Sequence, residues 1–417
     1  MRFEPKSEFI KVMNERGFIQ DSTDLSNLDK IFNSENVVAY IGYDATATSL
    51  HVGHLVPIMM LRWLQKCGHQ PITLIGGGTT KVGDPSFRSE DRPLLGEDEI
   101  SKNIESLKAV FTQYIRYEKI PNKAIMVNNS DWLENINYLN FLRTIGKHFS
   151  VNRMLAFDSV KSRIDREQSL SFLEFNYMIL QAYDFLELNK RFNCRLQLGG
   201  SDQWGNIVNG IDLTRRAIDK QVFGMTCPLL STSSGQKMGK TQNGAVWLNS
   251  ELTSPYQFWQ FWRNTEDRDV SRFMKLFTEI PLEECLSIET LEFKEVNRAK
   301  EYLATEVTAL CHGRAAAEKA KITAKKVFQE GEFGDSLPTT TLNKADFENN
   351  ITIGQLFIKA GLASSGKEVK RLIASGSAKV NNVKFTDNAS RLSEITDLNV
   401  IKLSVGRKRH ALIKFKI

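Results

Sequence analysis

The sequence predicts an α/β protein: a parallel sheet interrupted by a helical insertion, then an α-helical region, then a small basic α+β module. Three observations predict the sheet. Val37-Val38-Ala39-Tyr40-Ile41 is a buried-strand run ending in Gly42, Leu50 to Lys66 has helical apolar spacing, and Pro71-Ile72-Thr73-Leu74-Ile75 is a second strand run closed by Gly76-Gly77-Gly78. Strand, helix and strand within about 40 residues make a right-handed parallel unit. Ligands of such sheets lie beyond the carboxyl ends of the strands, where Tyr40, Gly42, Asp44 and the glycine triplet fall.

The remaining elements follow in chain order. Residues 101–190 read as mostly helical, with Phe172, Phe175, Ile179 and Leu186 at helical spacing, and form an insertion between two halves of the sheet. Arg195-Leu196-Gln197-Leu198 resumes a strand, Gly199-Gly200-Ser201-Asp202-Gln203 closes it, and a helix runs from Trp204 to about Asp219. Ser254-Pro255-Tyr256-Gln257 is a helix start, with a serine cap, proline in the first turn and glutamine at the reciprocal capping position. Helix continues to about Glu330. Gly331 to Leu342, with two glycines, Pro338 and Thr339-Thr340-Thr341, reads as a linker. The expected division is therefore 1–225, 226–330, a linker over 331–348, and 349–417.

Composition narrows the class. A chain of 417 residues, 41% hydrophobic and 25% charged, suits a soluble protein of two to four domains. Its apolar runs fall short of the roughly 18 residues a spanning helix needs. The start, Met1-Arg2-Phe3-Glu4, has no apolar core, so a cytoplasmic protein is expected. Five widely spaced cysteines without a C-x-x-C motif point to reduced thiols and no zinc site. Net charge is +6, but Asn349 to Ile417 hold 13 Lys/Arg against 4 Asp/Glu, a balance of +9, leaving −3 on the rest. A basic module on a near-neutral body is the electrostatic footprint of nucleic-acid binding.

Two strings carry the chemistry. His51-Val52-Gly53-His54 heads the helix that follows the first strand, where imidazoles can donate to phosphate oxygens at the positive end of the helix dipole. Far downstream, Lys237-Met238-Gly239-Lys240-Thr241 supplies two ammonium groups on a loop that Gly239 lets change shape. Each has a plainer reading, surface histidines capping a helix and a solvated basic loop. Tyr177, Gln181 and Asp184, at i, i+4 and i+7, share one helix face. Their apolar neighbours Phe175, Ile179, Leu180 and Phe185 make a pocket wall a better reading than a solvent face.

Tyr40 through Leu55 resembles the first signature of class I aminoacyl-tRNA synthetases, and its flanks resemble the bacterial and organellar tyrosyl branch. Further blocks agree in order: Gly83-Asp84-Pro85-Ser86, Asn176 through Phe185, Gln197 through Gly205, and Lys237 through Thr241. The resemblance implies a Rossmann-like sheet domain, L-tyrosine, ATP with Mg2+ and tRNA(Tyr) as partners, no tightly bound cofactor, and a homodimer. It implies that Tyr40 and Asp184 bond the phenolic hydroxyl, that Tyr177, Gln181 and Asp84 surround the α-ammonium, and that Gln203 serves the carboxylate. Thr46 and His51 would reach the γ-phosphate and His54 the ribose and α-phosphate end. Gly42, Asp44, Gly53, Gly200, Asp202 and Thr241 would line the nucleotide, with Lys237 and above all Lys240 closing on the triphosphate. Ile41 and Pro57 depart from some relatives, which have cysteine and threonine there.

The tail, Ile351 to Ile373 with Gly376 and Lys379-Val380-Asn381, resembles an S4-type RNA-binding domain. Two short helices with a hairpin behind them would turn Lys367, Lys370 and Arg371 toward phosphates. A basic two-helix cap is the plainer alternative. Two other activities remain open: a tryptophan-specific synthetase, disfavoured by the Tyr40 and Asp184 pair, and an RNA-binding or splicing factor built on a synthetase body. No role for Lys81 is legible.

Overall fold

The computed structural model describes residues 3–86, 94–235, 238, 240–241, 244–288, 293–329, 337–342, 351–387, 390–391, 400–406 and 409–415. These fall into two compact units, one of residues 1–238 with 271–290, the other of 239–270 with 291–417.

The first unit is built on a sheet of β1 (Asp21–Ser22), β2 (Val38–Asp44), β3 (Gln70–Gly76), β4 (Ile125–Asn128), β5 (Cys194–Gly200) and β6 (Phe223–Cys227), in the spatial order β1-β6-β5-β2-β3-β4. All neighbours pair in parallel except the short β1, which runs antiparallel along β6. From β2 the chain moves outward to β3 and β4, then returns across β2 to β5 and β6, so the order reverses between β2 and β5. That reversal opens a crevice at the carboxyl ends of these two strands. Tyr40, Ile72 and Leu74 pack with Phe185 and Leu188 of the helix Phe172–Phe192, which turns that face of the sheet toward the same helix.

Local signals explain the element ends. Phe172–Phe192 starts on a capping box, Ser171 with Glu174, and stops at Asn193, whose φ of 51° is left-handed. Pro255–Arg263 has the expected box of Ser254 and Gln257 with proline in the first turn. Residues 271–290 are held to the first unit by Arg16. Its guanidinium donates to the carbonyls of Lys275, Thr278 and Ile280, which follow or close the helix Val270–Phe277, and lies 4.3 Å from the centre of the Trp63 ring.

In the second unit, β7 (Lys240–Thr241) and β8 (Gly244–Ala245) form a short antiparallel pair. The helices Pro255–Arg263, Phe293–His312 and Arg314–Gln329 pack together, and Trp259 donates to Thr305 at 3.1 Å. The basic end of the chain folds a sheet of β9 (Thr339–Leu342), β10 (Ala378–Val380), β11 (Val383–Lys384), β12 (Val400–Val405) and β13 (Arg409–Phe415), ordered β11-β10-β12-β13-β9. The helices Ile353–Lys359 and Gly366–Ala374 bury Leu356, Phe357, Val369 and Leu372 against Ile401, Leu403 and Ile413.

Three expectations change. Within 101–190, read as mostly helical, Ile125–Asn128 forms a strand, β4, at the edge of the main sheet; four half-buried residues are too few to display a strand period. Phe223–Cys227, fully buried, adds β6 beyond the anticipated strands. The linker expected over 331–348 contains β9, which pairs in parallel with β13, so Thr339–Leu342 belongs to the tail's sheet. Most of the rest of that stretch, 331–336 and 343–348, lies outside the described residues. Among the described residues no helix is long and apolar enough to cross a membrane.

Candidate active site

A buried carboxylate stands over β2 on the helix Phe172–Phe192. Asp184 projects from the middle of Phe172–Phe192, 2% exposed, and accepts from Asn129 Nδ2 at 3.0 Å and Trp132 Nε1 at 2.8 Å. Burial lifts its pKa to about 7 against the lowering effect of those two donors. Tyr40 lies on β2 beneath the same helix, its ring 5.3 Å from that of Phe185. Its hydroxyl is buried without a hydrogen-bond partner among the described residues. Burial, with Asp184 nearby, holds the Tyr40 pKa well above its ordinary value, so the phenol stays protonated and able to donate.

Nearer the sheet edge, Tyr177 Oη donates to Asp44 Oδ2 at 2.9 Å, while Asp44 Oδ1 accepts from Thr79 Oγ1 at 2.8 Å. Asp44, expected on the nucleotide side, is thus joined to the helix that carries Asp184. Gln181 accepts from Asn206 Nδ2 at 2.9 Å, and the same amide nitrogen donates to Gln203 Oε1 at 3.2 Å. Gln203 Nε2 donates at 3.0 Å to both Asp84 and Asp202. Tyr177, Asp44, Thr79, Asn129 and Asp184 are thus linked in one chain of hydrogen bonds, and Gln181, Asn206, Gln203, Asp84 and Asp202 in a second, with the Tyr40 hydroxyl buried near Asp184.

The glycines explain how these ends come so close. A Cβ at Gly76 would lie 2.4 Å from both Asp44 Oδ1 and Thr79 Oγ1. Gly77 N donates to Asn128 Oδ1 at 3.1 Å and Gly78 N to Asn129 Oδ1 at 2.8 Å, so the triplet docks the end of β3 on that of β4. At Gly200 a Cβ would fall 2.4 Å from Asp202 Oδ1. The turn Ser201–Gln203 that follows has no side-chain cap. Gly42 is exposed on β2, with only Leu74 in range of a Cβ.

The first signature forms a 3-10 turn, Val52–His54, leading directly into Leu55–Lys66. His51 Nδ1 accepts from Gly53 N at 3.0 Å and His54 Nδ1 from His51 N at 3.2 Å, with the rings 4.1 Å apart. Desolvation, with His51 beside it, lowers the His54 pKa to about 3. A neutral ring whose Nδ1 is an acceptor carries its proton on Nε2, so His54 is a donor and not a cation. A Cβ at Gly53 would meet His51 Cε1 at 2.7 Å. Thr46 is exposed in the loop after β2, where Thr80 Oγ1 accepts from Ala45 N and Asn103 Nδ2 donates to Ala45 O.

Other expected residues are not gathered here. Lys237 lies outside the described residues, and Lys240 and Thr241 form β7 in the second unit. Lys367, Lys370 and Arg371 are exposed on Gly366–Ala374, at i, i+3 and i+4, with Val369 and Leu372 buried opposite. Lys81 gains an account: its ammonium bonds Glu97 and Glu134, each at 2.9 Å, tying two helix ends together at the surface. Sequence reasoning missed Asn129 and Trp132. The signal was present, since Ala124-Ile125-Met126-Val127 is apolar, and recognising it as a strand would have put Asn128 and Asn129 on the ligand edge.

A family model described as tRNA synthetases class I (W and Y) matches residues 33–329. The tyrosine–tRNA ligase of Dinoroseobacter shibae is 61% identical over 414 residues, covering 99% of each chain. That of Ruegeria pomeroyi is 62% identical over 416 residues, covering 99% of this chain and 100% of its own. Among solved structures, a C-terminally truncated Aspergillus nidulans mitochondrial tyrosyl-tRNA synthetase superposes with a TM-score of 0.70 at 32% identity, over 78% of this chain and 94% of its own. A tryptophanyl-tRNA synthetase from Encephalitozoon cuniculi bound to tryptophan, 14% identical with a TM-score of 0.53 over 75% and 87%, shares the fold.

The raised pKa of Asp184 has a consequence for stability. A carboxyl that binds its proton more tightly folded than unfolded contributes stability that is complete below about pH 4 and is lost as pH rises through about 7. In urea titrations between pH 4.5 and 8, the wild-type protein is expected to lose stability relative to Asp184→Asn. Parallel curves for the two proteins would show that Asp184 titrates in its ordinary range.

Proposed function

The chain belongs to the class I tRNA synthetases of the tryptophan and tyrosine group, and from that premise we propose how its residues make it a tyrosine–tRNA ligase. L-tyrosine and ATP, the latter entering as its magnesium complex, give tyrosyl-adenylate and pyrophosphate. A terminal hydroxyl of tRNA(Tyr) then attacks the carbonyl carbon, and AMP leaves.

The observation that carries the assignment of side chains is the Asp184 carboxylate, locked by Asn129 and Trp132 beside the unpartnered Tyr40 hydroxyl. A buried acceptor and a buried donor at one point fit a phenolic hydroxyl, which both donates and accepts. Phenylalanine entering the same place would leave the buried Tyr40 hydroxyl unsatisfied, which costs more than the hydrogen bond itself contributes. Tyr177, Gln181 and Asp84 hold the α-ammonium, and Gln203, bonded to both Asp84 and Asp202, lies between ammonium and carboxylate.

Activation moves charge from the carboxylate to departing pyrophosphate, so positioning and fixed donors do the catalytic work. The Nε2–H of His54 and the His51 ring, at the positive end of the Leu55–Lys66 dipole, form such a donor set. Thr46 joins them from the loop, Gly42, Gly53, Gly200 and Asp202 line the nucleotide, and Lys237, Lys240 and Thr241 close on the triphosphate from their loop. A neutral His54 keeps its donor strength constant across physiological pH.

We also read the tail as an S4-like RNA-binding module, supported by its exposed Lys367, Lys370 and Arg371 and its +9 balance. A homodimer is supported by apolar side chains exposed between Tyr138 and Leu173. Among them Leu139 is 74% and Phe172 71% exposed, more than a solvent face favours.

Amino-acid-dependent ATP–pyrophosphate exchange tests the central reading: exchange with tyrosine is expected, and exchange with tryptophan alone, or with none of the twenty, would sink it. In Tyr40→Phe the preference for tyrosine over phenylalanine should fall by roughly 3- to 10-fold, the worth of one neutral hydrogen bond; an unchanged ratio would remove Tyr40 from the discrimination. Alanine at Lys367, Lys370 and Arg371 together should weaken tRNA charging, more at low salt than at high, and spare exchange; equal loss of both activities would deny the tail its RNA role. Sedimentation should report a dimer that Leu139→Asp with Phe172→Asp converts to monomer, and a monomeric wild-type protein would end that reading.

A further inference from the structure

The helix that carries Tyr177, Gln181 and Asp184 is pinned near its start by a buried ion pair that the reaction does not use. Arg163, at the end of the helix Asp158–Asp165, is 1% exposed, and Glu174, in the first turn of Phe172–Phe192, is 3% exposed. Arg163 Nη1 donates to Glu174 Oε1 at 3.1 Å, and Nη2 donates to the carbonyl of Ser169. The other carboxylate oxygen, Oε2, accepts from Ser171 N at 3.3 Å and Ser171 Oγ at 3.2 Å, completing the capping box. One carboxylate therefore ties together the preceding helix, the connecting segment and the first turn.

A buried ion pair is a poor device for stability, because desolvating both charges cancels most of their attraction and an apolar pair of similar volume does as well. What it does supply is direction. Glu174, Tyr177, Gln181 and Asp184 stand at i, i+3, i+7 and i+10, all within one face of the helix. A tyrosine hydroxyl lies about 9 Å from its helix axis, so a rotation of about 20° carries it about 3 Å, the full length of a hydrogen bond. The Tyr177 bond to Asp44, 2.9 Å long, survives only if that rotation is suppressed. Asp184 fixes the helix at mid-length through Asn129 and Trp132, and Glu174 fixes it one turn before Tyr177.

We propose that Arg163 is a positioning residue for amino-acid binding: through Glu174 it sets the rotation of the Phe172–Phe192 helix, and with it the placement of Tyr177 and Gln181. This rests on the tyrosine-site reading above. Lysine at 163 keeps the charge but cannot bridge Glu174 and the Ser169 carbonyl with one rigid fork.

The test is pyrophosphate exchange on the full chain with Arg163→Lys and with the double variant Arg163→Met/Glu174→Met. Tyrosine KM should rise roughly 10-fold in both, while ATP KM stays at the wild-type value. The double variant should melt within a few degrees of wild type, since the apolar pair replaces the charges without leaving one unpaired; it still reads the tyrosine KM if lysine at 163 prevents folding. A wild-type tyrosine KM in the folded double variant, or tyrosine and ATP KM rising together, would overturn the positioning role. Wild-type protein run alongside separates the two ideas: if it exchanges with tyrosine and the variants do not shift, only the role of Arg163 falls.

Discussion

The site depends on one constraint: a carboxylate taken out of water must be met by donors. Asp184 is that carboxylate, and the donors that meet it fix far more than its own rotamer. Asn129 reaches it with Nδ2 while Oδ1 accepts from Gly78 N, so the end of β3, the end of β4 and the helix Phe172–Phe192 are joined through a single amide. The same Nδ2 donates to Thr79 Oγ1, Thr79 donates to Asp44, and Asp44 accepts from Tyr177, which returns the chain of bonds to the helix it left. Partners bonded in a closed circuit position one another, and such a pocket is organised before its ligand arrives.

That circuit requires backbone segments closer together than side chains permit. Gly76, Gly77 and Gly78 meet the requirement at the end of β3, where a Cβ on any of them would lie within 3 Å of a neighbour. Gly53 does the same beside His51 and Gly200 beside Asp202. The glycines that read as ligand-edge signals therefore also serve packing, by admitting the polar side chains of the circuit.

Much of this was legible in the chain. The runs ending at Gly42 and Gly76 and the strand before Gly199 are regular and apolar, so their periods name them; Ser254 and Ser171 mark helix starts by cap chemistry, although Ser171 went unremarked. What escaped was short or mixed. β4 has four half-buried residues and stands at a sheet edge, and without it Asn129 and Trp132 looked like residues of a helical insertion. β9 escaped because a threonine run beside proline resembles a linker until β13 is there to pair with it. Arg163 gave no signal at all, since nothing in a lone arginine foretells burial.

The sequence by itself determined the order of the chemistry-bearing blocks, the face shared by Tyr177, Gln181 and Asp184, and the concentration of positive charge in the last 69 residues. Those follow from spacing and composition, which are properties of the unfolded chain too. Only the tertiary structure decided that Asp44 serves Tyr177, that Asn129 and Trp132 hold Asp184, that its pKa rises to about 7, and that His54 is a neutral donor. Each of these depends on distance and on exclusion of water between residues 52 to 133 positions apart or packed at a helix end, and neither exists until the chain has folded.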